Sequence, residues 1–420
     1  MSPCTVDVAM QVGRAAVRLA EASGGGRVLV ARDTRPSGAM FEAAVSAGIM
    51  AAGGTCQLVG VLPTAGLSVA LAEGLGDAGV MITASHNPAA DNGFKVMGEG
   101  GHKLSDEAAR EFEGWMSQTP ASGICPGTAA SVRRQALLAY GKALKDAVGP
   151  WDALAGKRIA IDLANGAMVA MVGWLRQMVP ADWVFLGSGD GVINDGCGSE
   201  HPEALAAAVR EHGCVAGLAV DGDGDRCRII DEHGQVVPGD ALAWLLAKGL
   251  GVGAMAVTVM SNGGLEQSLP DVVVVRTAVG DRYLLEAMVE EDIPLGCEES
   301  GHVLFGDALP TGDGLVTGLR ALQIALGQGS VGEAISGFSA LPRETSKVKV
   351  RNRPPLDSLP ELQRVRSNAL ETLGEGGRVF LRYSGTEPVL RILVEGSRRD
   401  RVSRSRKDVE RVVHELIGAG

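Results

Sequence analysis

The sequence predicts an α/β fold with three similar domains of mixed or largely parallel sheet, followed by a smaller C-terminal α+β domain. Three stretches repeat one plan: an apolar strand ends in a polar turn, an Ala/Leu-rich helical stretch follows, and a second strand runs into a polar loop. Strands that alternate with helices are typical of α/β units. The length of 420 residues also exceeds what one hydrophobic core usually supports, so several domains are expected.

The second strands of the three repeats place polar loops at equivalent positions. The first strands are residues 27–33, 158–166 and 255–263, and the second strands with their loops are residues 79–88, 216–225 and 293–302. In such sheets ligands collect at the carboxyl ends of the strands. The three loops are therefore predicted to form one site.

Turn-rich stretches suggest where the domains divide. A Pro/Gly/Ser-rich stretch at 119–127 suggests a linker, and a turn at 232–235 precedes a helix-like segment at 240–246. Basic residues between 398 and 407 fit the exposed face of a last helix. The predicted domains are residues 1–130, 131–235, 236–343 and 344–420.

Composition excludes several classes of protein. Apolar residues at 45% and charged residues at 21% fit a soluble, core-forming chain rather than a disordered one. A net charge of −11 argues against nucleic acid as a partner. No apolar stretch approaches the ~20 residues that span a bilayer, and the N-terminus does not resemble a secretory signal. Seven scattered cysteines without a Cys-x-x-Cys pair disfavour a zinc site and indicate reduced thiols, which predicts a cytoplasmic protein.

The loop at residues 83–95 presents Ser85 at a strand end, beside His86. A serine there can act as a nucleophile or carry a phosphate, and Lys95 could supply charge or move protons. An ordinary Asx/Pro turn is the alternative. A serine hydrolase is disfavoured, because no Gly-x-Ser-x-Gly elbow surrounds Ser85.

Three aspartates alternate with glycines in the next loop, at Asp221, Asp223 and Asp225. Such carboxylates can converge on one hard cation. A calcium-binding EF-hand is disfavoured, because Arg226 stands where glycine is needed and a strand precedes the loop. A plain acidic surface turn remains the alternative, but Mg²⁺ paired with a phosphate is the favoured interpretation.

The third loop combines two glutamates, a serine and a histidine within residues 297–302. Glu298 and Ser300 suit hydrogen bonds to sugar hydroxyls, and His302 could transfer protons. A solvated acidic loop with a chance histidine is the alternative.

A fourth loop near the C-terminus has the residues of a phosphate cradle. It offers one cation, two hydroxyls and a glycine that allows close backbone approach, in Arg382, Ser384, Gly385 and Thr386. The alternative is a simple strand–turn junction that carries one arginine.

Together and in this order, the four loops resemble the α-D-phosphohexomutase superfamily, and most closely its bacterial phosphoglucosamine mutase branch. The resemblance covers roughly residues 28–395 and implies three α/β domains and a smaller fourth domain around a central cleft. It implies a phosphosugar mutase that interconverts glucosamine 6-phosphate and glucosamine 1-phosphate and feeds the synthesis of UDP-N-acetylglucosamine and cell-wall precursors. One Mg²⁺ per chain, a hexose or hexosamine 1,6-bisphosphate activator, and a monomer or homodimer follow from the same resemblance.

The resemblance also implies a role for each loop. Ser85 would be the phosphorylated serine and would hold Mg²⁺ together with the three aspartates. Glu298 and Ser300 would contact the sugar, and the Arg382 loop would bind the phosphate that does not react. The implied catalytic residues are Ser85, His86, Lys95, Arg226 and His302.

Two points leave the activity open. The family usually begins with a strand and a loop resembling Gly-Thr-Asp-Gly-Ile-Arg-Gly, and residues 1–10 contain nothing comparable, so the first domain is expected to lack that strand. The alternatives are a phosphomannomutase/phosphoglucomutase with the same chemistry, or a catalytically silent protein that binds sugar phosphates.

Overall fold

The computed structural model describes residues 4–118, 126–384 and 387–419. The chain divides into two compact units. The larger unit contains residues 1–260 and 272–336, and the smaller contains residues 261–271 and 337–420. Most of the predicted linker at 119–127 lies outside the described residues, and the division into four domains stays a prediction.

The first part of the larger unit is built around a five-stranded sheet. Its elements are α1 (Val6–Ala22), β1 (Arg27–Arg32), α2 (Gly38–Ala51), β2 (Thr55–Val61), α3 (Thr64–Ala72), β3 (Ala78–Ile82), β4 (Phe94–Met97), α4 (Asp106–Met116), β5 (Ala129–Ser131) and α5 (Arg133–Val148). The strand order is β4-β3-β1-β2-β5, and only the β3–β4 pair is antiparallel.

Two four-stranded sheets follow along the chain. The segment with the first of these sheets contains β6 (Arg158–Asp162), α6 (Val172–Met178), β7 (Asp182–Leu186), α7 (Glu203–Glu211), β8 (Ala216–Val220) and β9 (Cys227–Ile230). The segment with the second contains α8 (Gly239–Leu250), β10 (Ala254–Thr258), α9 (Gly264–Ser268), β11 (Val273–Thr277), α10 (Asp281–Glu290), β12 (Leu295–Cys297), β13 (Val303–Phe305), α11 (Gly314–Gln328) and α12 (Val331–Ile335). Of these, α9 belongs to the smaller unit.

The three sheets of the larger unit end in the same way. Their strand orders are β4-β3-β1-β2-β5, β7-β6-β8-β9 and β11-β10-β12-β13. In each, one parallel strand is followed along the chain by a loop and then by an antiparallel edge strand, as β3–β4, β8–β9 and β12–β13. The three loops predicted from the sequence are these connections.

Burial explains why these segments form strands. Every residue of β3 and β8 is buried, as expected for apolar runs covered on both faces of a parallel sheet.

Helix α1 begins at the cap residue Thr5, whose side chain accepts a hydrogen bond from the Val8 amide. It lies so close to α2 that a Cβ at Gly13 would come within 2.2 Å of the Val45 carbonyl oxygen.

The smaller unit contains an antiparallel sheet covered by helices. It is formed by β14 (Arg343–Lys349), α13 (Pro360–Leu373), β15 (Arg378–Tyr383), β16 (Val389–Glu395) and α14 (Arg399–Ile417), with strand order β14-β16-β15. Buried apolar side chains of the sheet and of both long helices form one core. The predicted fold class is therefore confirmed, including the α+β character of the C-terminal part.

No helix in the described ranges is both long enough and apolar enough to cross a membrane.

Candidate active site

The three predicted loops of the larger unit come together. Ser85 follows β3, and its hydroxyl donates a hydrogen bond of 2.6 Å to Oδ2 of Asp221, which follows β8. The backbone of Arg226 pairs with that of His302 as an isolated β-bridge, and the Cys227 amide donates to the Gly301 carbonyl at 3.0 Å. Carboxylates, a hydroxyl, cations and an imidazole from separate parts of the sequence thus share one site.

The aspartate triad is buried and compact. Asp221, Asp223 and Asp225 have exposures of 1%, 0% and 4%, and each offers a carboxylate oxygen within 4.8 Å of the others. Oδ1 of Asp221 accepts hydrogen bonds from the amides of Asp225 and Arg226, which fixes the turn. Burial, together with the charges of Asp225 and Asp223, raises the pKa of Asp221 to about 8.

This donor set fits a magnesium ion. Mg²⁺ prefers hard oxygen ligands such as carboxylates. Within the described parts of the chain, Oδ1 of Asp223 is buried and has no hydrogen-bond partner. A buried carboxylate oxygen without a partner is costly, and a bound cation would satisfy it. The three aspartates can therefore hold the metal that the sequence predicts.

Lys95, which lies on β4, neutralises part of the triad. Its ammonium is 2.6 Å from Oδ2 of Asp223 and 2.7 Å from Oδ2 of Asp225. Burial by itself lowers the pKa of Lys95, but the two carboxylates outweigh it and hold this pKa above its ordinary range. Lys95 is thus positively charged, which suits it better to charge stabilisation than to accepting a proton.

His302 lies buried between two carboxylates. Its Nδ1 is 3.7 Å from Oδ1 of Asp225, and its Nε2 is 3.6 Å from Oδ2 of Asp281. Burial lowers the pKa of His302, but the interaction with Asp225 outweighs it, so the net pKa is raised. By contrast, burial and the charge of Arg226 lower the pKa of His86, whose Nδ1 is 3.4 Å from the Ser85 hydroxyl oxygen. His302 is thus the better proton donor of the two.

The predicted sugar-binding residues lie on the β12–β13 loop. The Ser300 hydroxyl donates to Oε2 of Glu298 at 3.0 Å, and Oε1 of Glu298 accepts from the Gly280 amide. Glu298 lines a cavity of about 310 Å³, together with Ser85, His86, Lys95, Lys103, Asp225, Arg226, Gly280, Asp281 and His302. This size is in the range of small-molecule sites.

The fourth predicted loop belongs to the smaller unit. Arg382 is exposed near the end of β15, and the hydroxyl of buried Ser384 accepts a hydrogen bond from the Glu387 amide at 3.3 Å. Gly385 and Thr386 lie outside the described residues. The phosphate-binding role of this loop stays a prediction.

Several residues of the site were not predicted. Lys103 and Asp281 line the cavity and form an ion pair with each other. Thr64 donates its hydroxyl to Oδ2 of Asp223, and its amide donates to the Asp223 carbonyl at 3.0 Å. The position of Thr64 at the start of α3, three residues after the end of β2, is the signal that could have pointed to it.

Comparisons with known proteins define the class to which this fold and site belong. Models of phosphoglucomutase/phosphomannomutase match the chain at residues 1–120 for α/β/α domain I, 238–340 for α/β/α domain III and 346–412 for the C-terminal domain. The chain belongs to this family, and the resemblance predicted from its loops is confirmed.

Two individual proteins are similar to this chain over nearly its whole length. The chain is 38% identical to a phosphoglucosamine mutase from Symbiobacterium thermophilum, over 97% of this chain and 94% of the relative. A phosphoglucomutase/phosphomannomutase family protein from Burkholderia thailandensis has a similar structure, with a TM-score of 0.80, 23% identity, and coverage of 98% of this chain and 94% of that one.

A third similar protein is the N-acetylphosphoglucosamine mutase of Aspergillus fumigatus, solved with GlcNAc-6P and magnesium. Its TM-score is 0.65 at 18% identity, over 84% of this chain and 92% of that one. At this identity the likeness supports the fold.

Proposed function

We propose that this chain is an intramolecular phosphotransferase that interconverts glucosamine 6-phosphate and glucosamine 1-phosphate, with Ser85 as the phosphoryl carrier. The observation that carries the proposal is the 2.6 Å hydrogen bond from the Ser85 hydroxyl to the buried aspartate triad. It joins a possible phosphoryl carrier to a site suited to a divalent cation. The glucosamine phosphates follow from the 38% identical relative, which is a phosphoglucosamine mutase over nearly the whole length of both chains.

Each turnover requires two phosphoryl transfers. In the first, a hydroxyl oxygen of the sugar attacks the phosphorus on phosphorylated Ser85, the bond from phosphorus to Oγ breaks, and the hydroxyl proton passes to a base. The sugar is then a 1,6-bisphosphate. In the second, Oγ of Ser85 gives up its proton and attacks the phosphorus of the other phosphate. The bond from that phosphorus to the sugar oxygen breaks, the sugar oxygen takes up a proton, and the phosphorylated serine is regenerated.

Different side chains of the site would bind the metal, stabilise charge and transfer the proton. Asp221, Asp223 and Asp225 would hold Mg²⁺, which supplies positive charge to the phosphoryl oxygens when it is bound. The Lys95 ammonium adds charge beside the same oxygens. The buried imidazole of His302, with its raised pKa, gives a proton to the leaving sugar oxygen.

The remaining roles concern substrate binding. Glu298 and Ser300 bind sugar hydroxyls, and Arg382 with Ser384 binds the phosphate that does not react. After the first transfer the phosphoryl group of Ser85 is on the sugar, so a 1,6-bisphosphate that is released before the second transfer leaves the serine unphosphorylated. Added hexose or hexosamine 1,6-bisphosphate therefore activates the enzyme. Within the cell, we place the reaction in the cytoplasm.

Phosphorus NMR tests the proposal directly. Protein with Mg²⁺ and a trace of glucose 1,6-bisphosphate is supplied with glucosamine 6-phosphate, mannose 6-phosphate or glucose 6-phosphate in separate samples. The 1-phosphate is expected to form fastest from the glucosamine compound. Faster conversion of mannose 6-phosphate or glucose 6-phosphate would instead assign the chain to the phosphomannomutase/phosphoglucomutase activity.

Substitution of Ser85 tests the carrier. We expect Ser85→Ala to abolish turnover while the fold remains, because the hydroxyl contributes little packing. Ser117→Ala, at an exposed serine outside the cavity, is the matched control and should keep full activity. Substantial mutase activity in Ser85→Ala would overturn the role of this serine.

A further inference from the structure

The Ser85 backbone adopts a conformation that serine rarely takes. Its φ is +50°, in the left-handed region. Residues in this region are strained and persist where the surrounding structure determines them. The contacts that hold the Ser85 backbone therefore decide where its hydroxyl points.

Arg35 binds the backbone of the Ser85 loop through its guanidinium group. Its side chain is 1% exposed and pairs with Asp33, with Nε 3.0 Å from Oδ2. Its two terminal nitrogens donate to four backbone carbonyls of the loop. Nη2 donates to the carbonyls of Ser85 at 3.0 Å and Asn87 at 2.9 Å, and Nη1 donates to those of Pro88 and Asp91. A single buried guanidinium thus fixes the path of the whole turn.

Asn194 reaches the same two carbonyls from the segment after β7. Its Nδ2 is 2.7 Å from the Ser85 carbonyl oxygen and 2.9 Å from that of Asn87. Asn194 is itself in the left-handed region, with a φ of +59°. The carbonyls of Ser85 and Asn87 therefore each accept from an arginine and an asparagine that lie far apart in sequence.

Asp33 connects this arrangement to the Ser85 amide. Its Oδ2 accepts from the Thr83 hydroxyl at 2.7 Å, and that hydroxyl oxygen accepts from the Ser85 amide at 2.9 Å. On the other side, a Cβ at Gly222 would come within 2.6 Å of the Ser85 carbonyl oxygen. The peptide groups on both sides of Ser85 are thus held, and the hydroxyl is left to face Asp221.

We propose that Arg35 and Asn194 are positioning residues for phosphoryl transfer, which hold Ser85 in its left-handed conformation so that Oγ faces the aspartate triad. The inference rests on the proposed function of Ser85. Phosphoryl transfer depends mainly on alignment and charge, and a misplacement of about 1 Å can cost about 100-fold in rate. Neither Arg35 nor Asn194 lines the cavity, so both act on kcat through Ser85.

Two substitutions separate the positioning role from general stability. Arg35→Lys keeps a charge beside Asp33 but cannot donate to four carbonyls at once. Asn194→Gly removes the amide group at a half-buried site, and glycine accepts the left-handed backbone without strain. Arg320→Lys is the matched control, because Arg320 also donates from a mostly buried side chain to a backbone carbonyl, that of Ala147, and pairs with Asp307.

The measurements are kcat and KM for glucosamine 6-phosphate, and the rate at which glucose 1,6-bisphosphate phosphorylates Ser85, followed by intact mass spectrometry. We expect kcat and the phosphorylation rate to fall about 100-fold in Arg35→Lys and about tenfold in Asn194→Gly. KM should stay within about threefold of the unmodified chain, and Arg320→Lys should change neither rate.

The outcomes separate this inference from the proposed function. If Ser85→Ala is inactive while folded Arg35→Lys and Asn194→Gly keep both rates within about threefold, the positioning role is wrong and the role of Ser85 stands. If Ser85→Ala keeps its activity, the proposed function itself fails. Should Arg35→Lys not fold, Asn194→Gly decides alone, because glycine accepts the left-handed backbone of this half-buried loop position.

Discussion

Asp313 lies next to a residue that bonds to the triad loop, and its ionisation should measurably change the free energy of unfolding. It caps α11, with Oδ1 accepting from the amides of Leu315 and Val316, and Oδ2 accepting from the buried Tyr140 hydroxyl at 2.5 Å. The next amide, that of Gly314, donates to the Gly224 carbonyl within the triad loop at 2.8 Å. Burial raises the pKa of Asp313 to about 6.

The sign and size of the effect follow from this pKa. Because the folded pKa lies above the ordinary value of 3.8, the folded state binds the proton more tightly, and folding stability is lost as the pH rises from about 4 through 6. The difference of about 2.2, at about 1.36 kcal/mol per pKa unit, amounts to about 3 kcal/mol once Asp313 is fully ionised. About 1.3 kcal/mol of this should develop between pH 5 and pH 7.

Asp313→Asn removes the titration but keeps an oxygen that can cap α11, since asparagine is a good cap residue. Urea unfolding of both proteins, followed by circular dichroism from pH 5 to pH 7, gives the free-energy difference at each pH. We expect the variant to gain about 1.3 kcal/mol relative to the unmodified chain over this range. Any constant cost of the substitution cancels in this comparison.

Two further variants control the measurement. Asp146→Asn, at a side chain that is 64% exposed, should leave the pH profile unchanged. Tyr140→Phe removes a hydrogen bond that lowers the pKa of Asp313, so its stability loss should extend to higher pH. Parallel pH profiles for Asp313→Asn and the unmodified chain would refute the reasoning.

Two other predictions concern the metal and a surface contact. Asp225→Asn removes one triad carboxylate, so the rise in unfolding temperature that Mg²⁺ gives the unmodified chain should be lost in differential scanning fluorimetry, and an equal rise in the variant would contradict the triad as the metal site. Asp77→Asn should destabilise the chain by about 1.5 kcal/mol at pH 7, because Asp77 accepts hydrogen bonds from Arg27 and the Gly26 amide. Since the Arg27 hydrogen bond lowers the pKa of Asp77, this stability is present above the ordinary pKa and is lost as the pH falls through the lowered pKa. Urea unfolding of both proteins at pH 7 and pH 3 should therefore show a stability difference that is smaller at pH 3. An equal difference at the two pH values would count against the ion pair.

The loops that carry the chemistry could be predicted because each is compact in sequence. Asp221, Asp223 and Asp225 alternate with glycines directly after an apolar strand, so their residue types and their place at a strand end point to the same interpretation. The position of Ser85 after β3 gave the same kind of signal. Short-range pattern and strand polarity were sufficient for these residues.

The residues that hold those loops in place could not be found in this way. Arg35 is 50 residues from Ser85, and Asn194 is 109 residues from it, so only the folded chain brings them together. In the sequence, Arg35 precedes a proline in a turn and Asn194 lies in a glycine-rich segment, and both are ordinary for turns. Their function depends on donor geometry, which a pattern of residue types does not record.

The repeated sheet plan explains why three separate loops can act as one rigid site. Each loop connects a buried parallel strand to the neighbouring antiparallel edge strand, so both of its ends are fixed by ladder hydrogen bonds. A loop anchored at both ends loses little further freedom when its side chains meet a ligand. The Arg226–His302 bridge then joins two of these hairpins directly, and the carbonyls of Ser85 and Asn87 join the third to the segment after β7. The negative charges of Asp221, Asp223 and Asp225 can therefore lie close together, because the anchored strand ends and the ion pairs of Lys95 with Asp223 and Asp225 oppose the repulsion among the carboxylates.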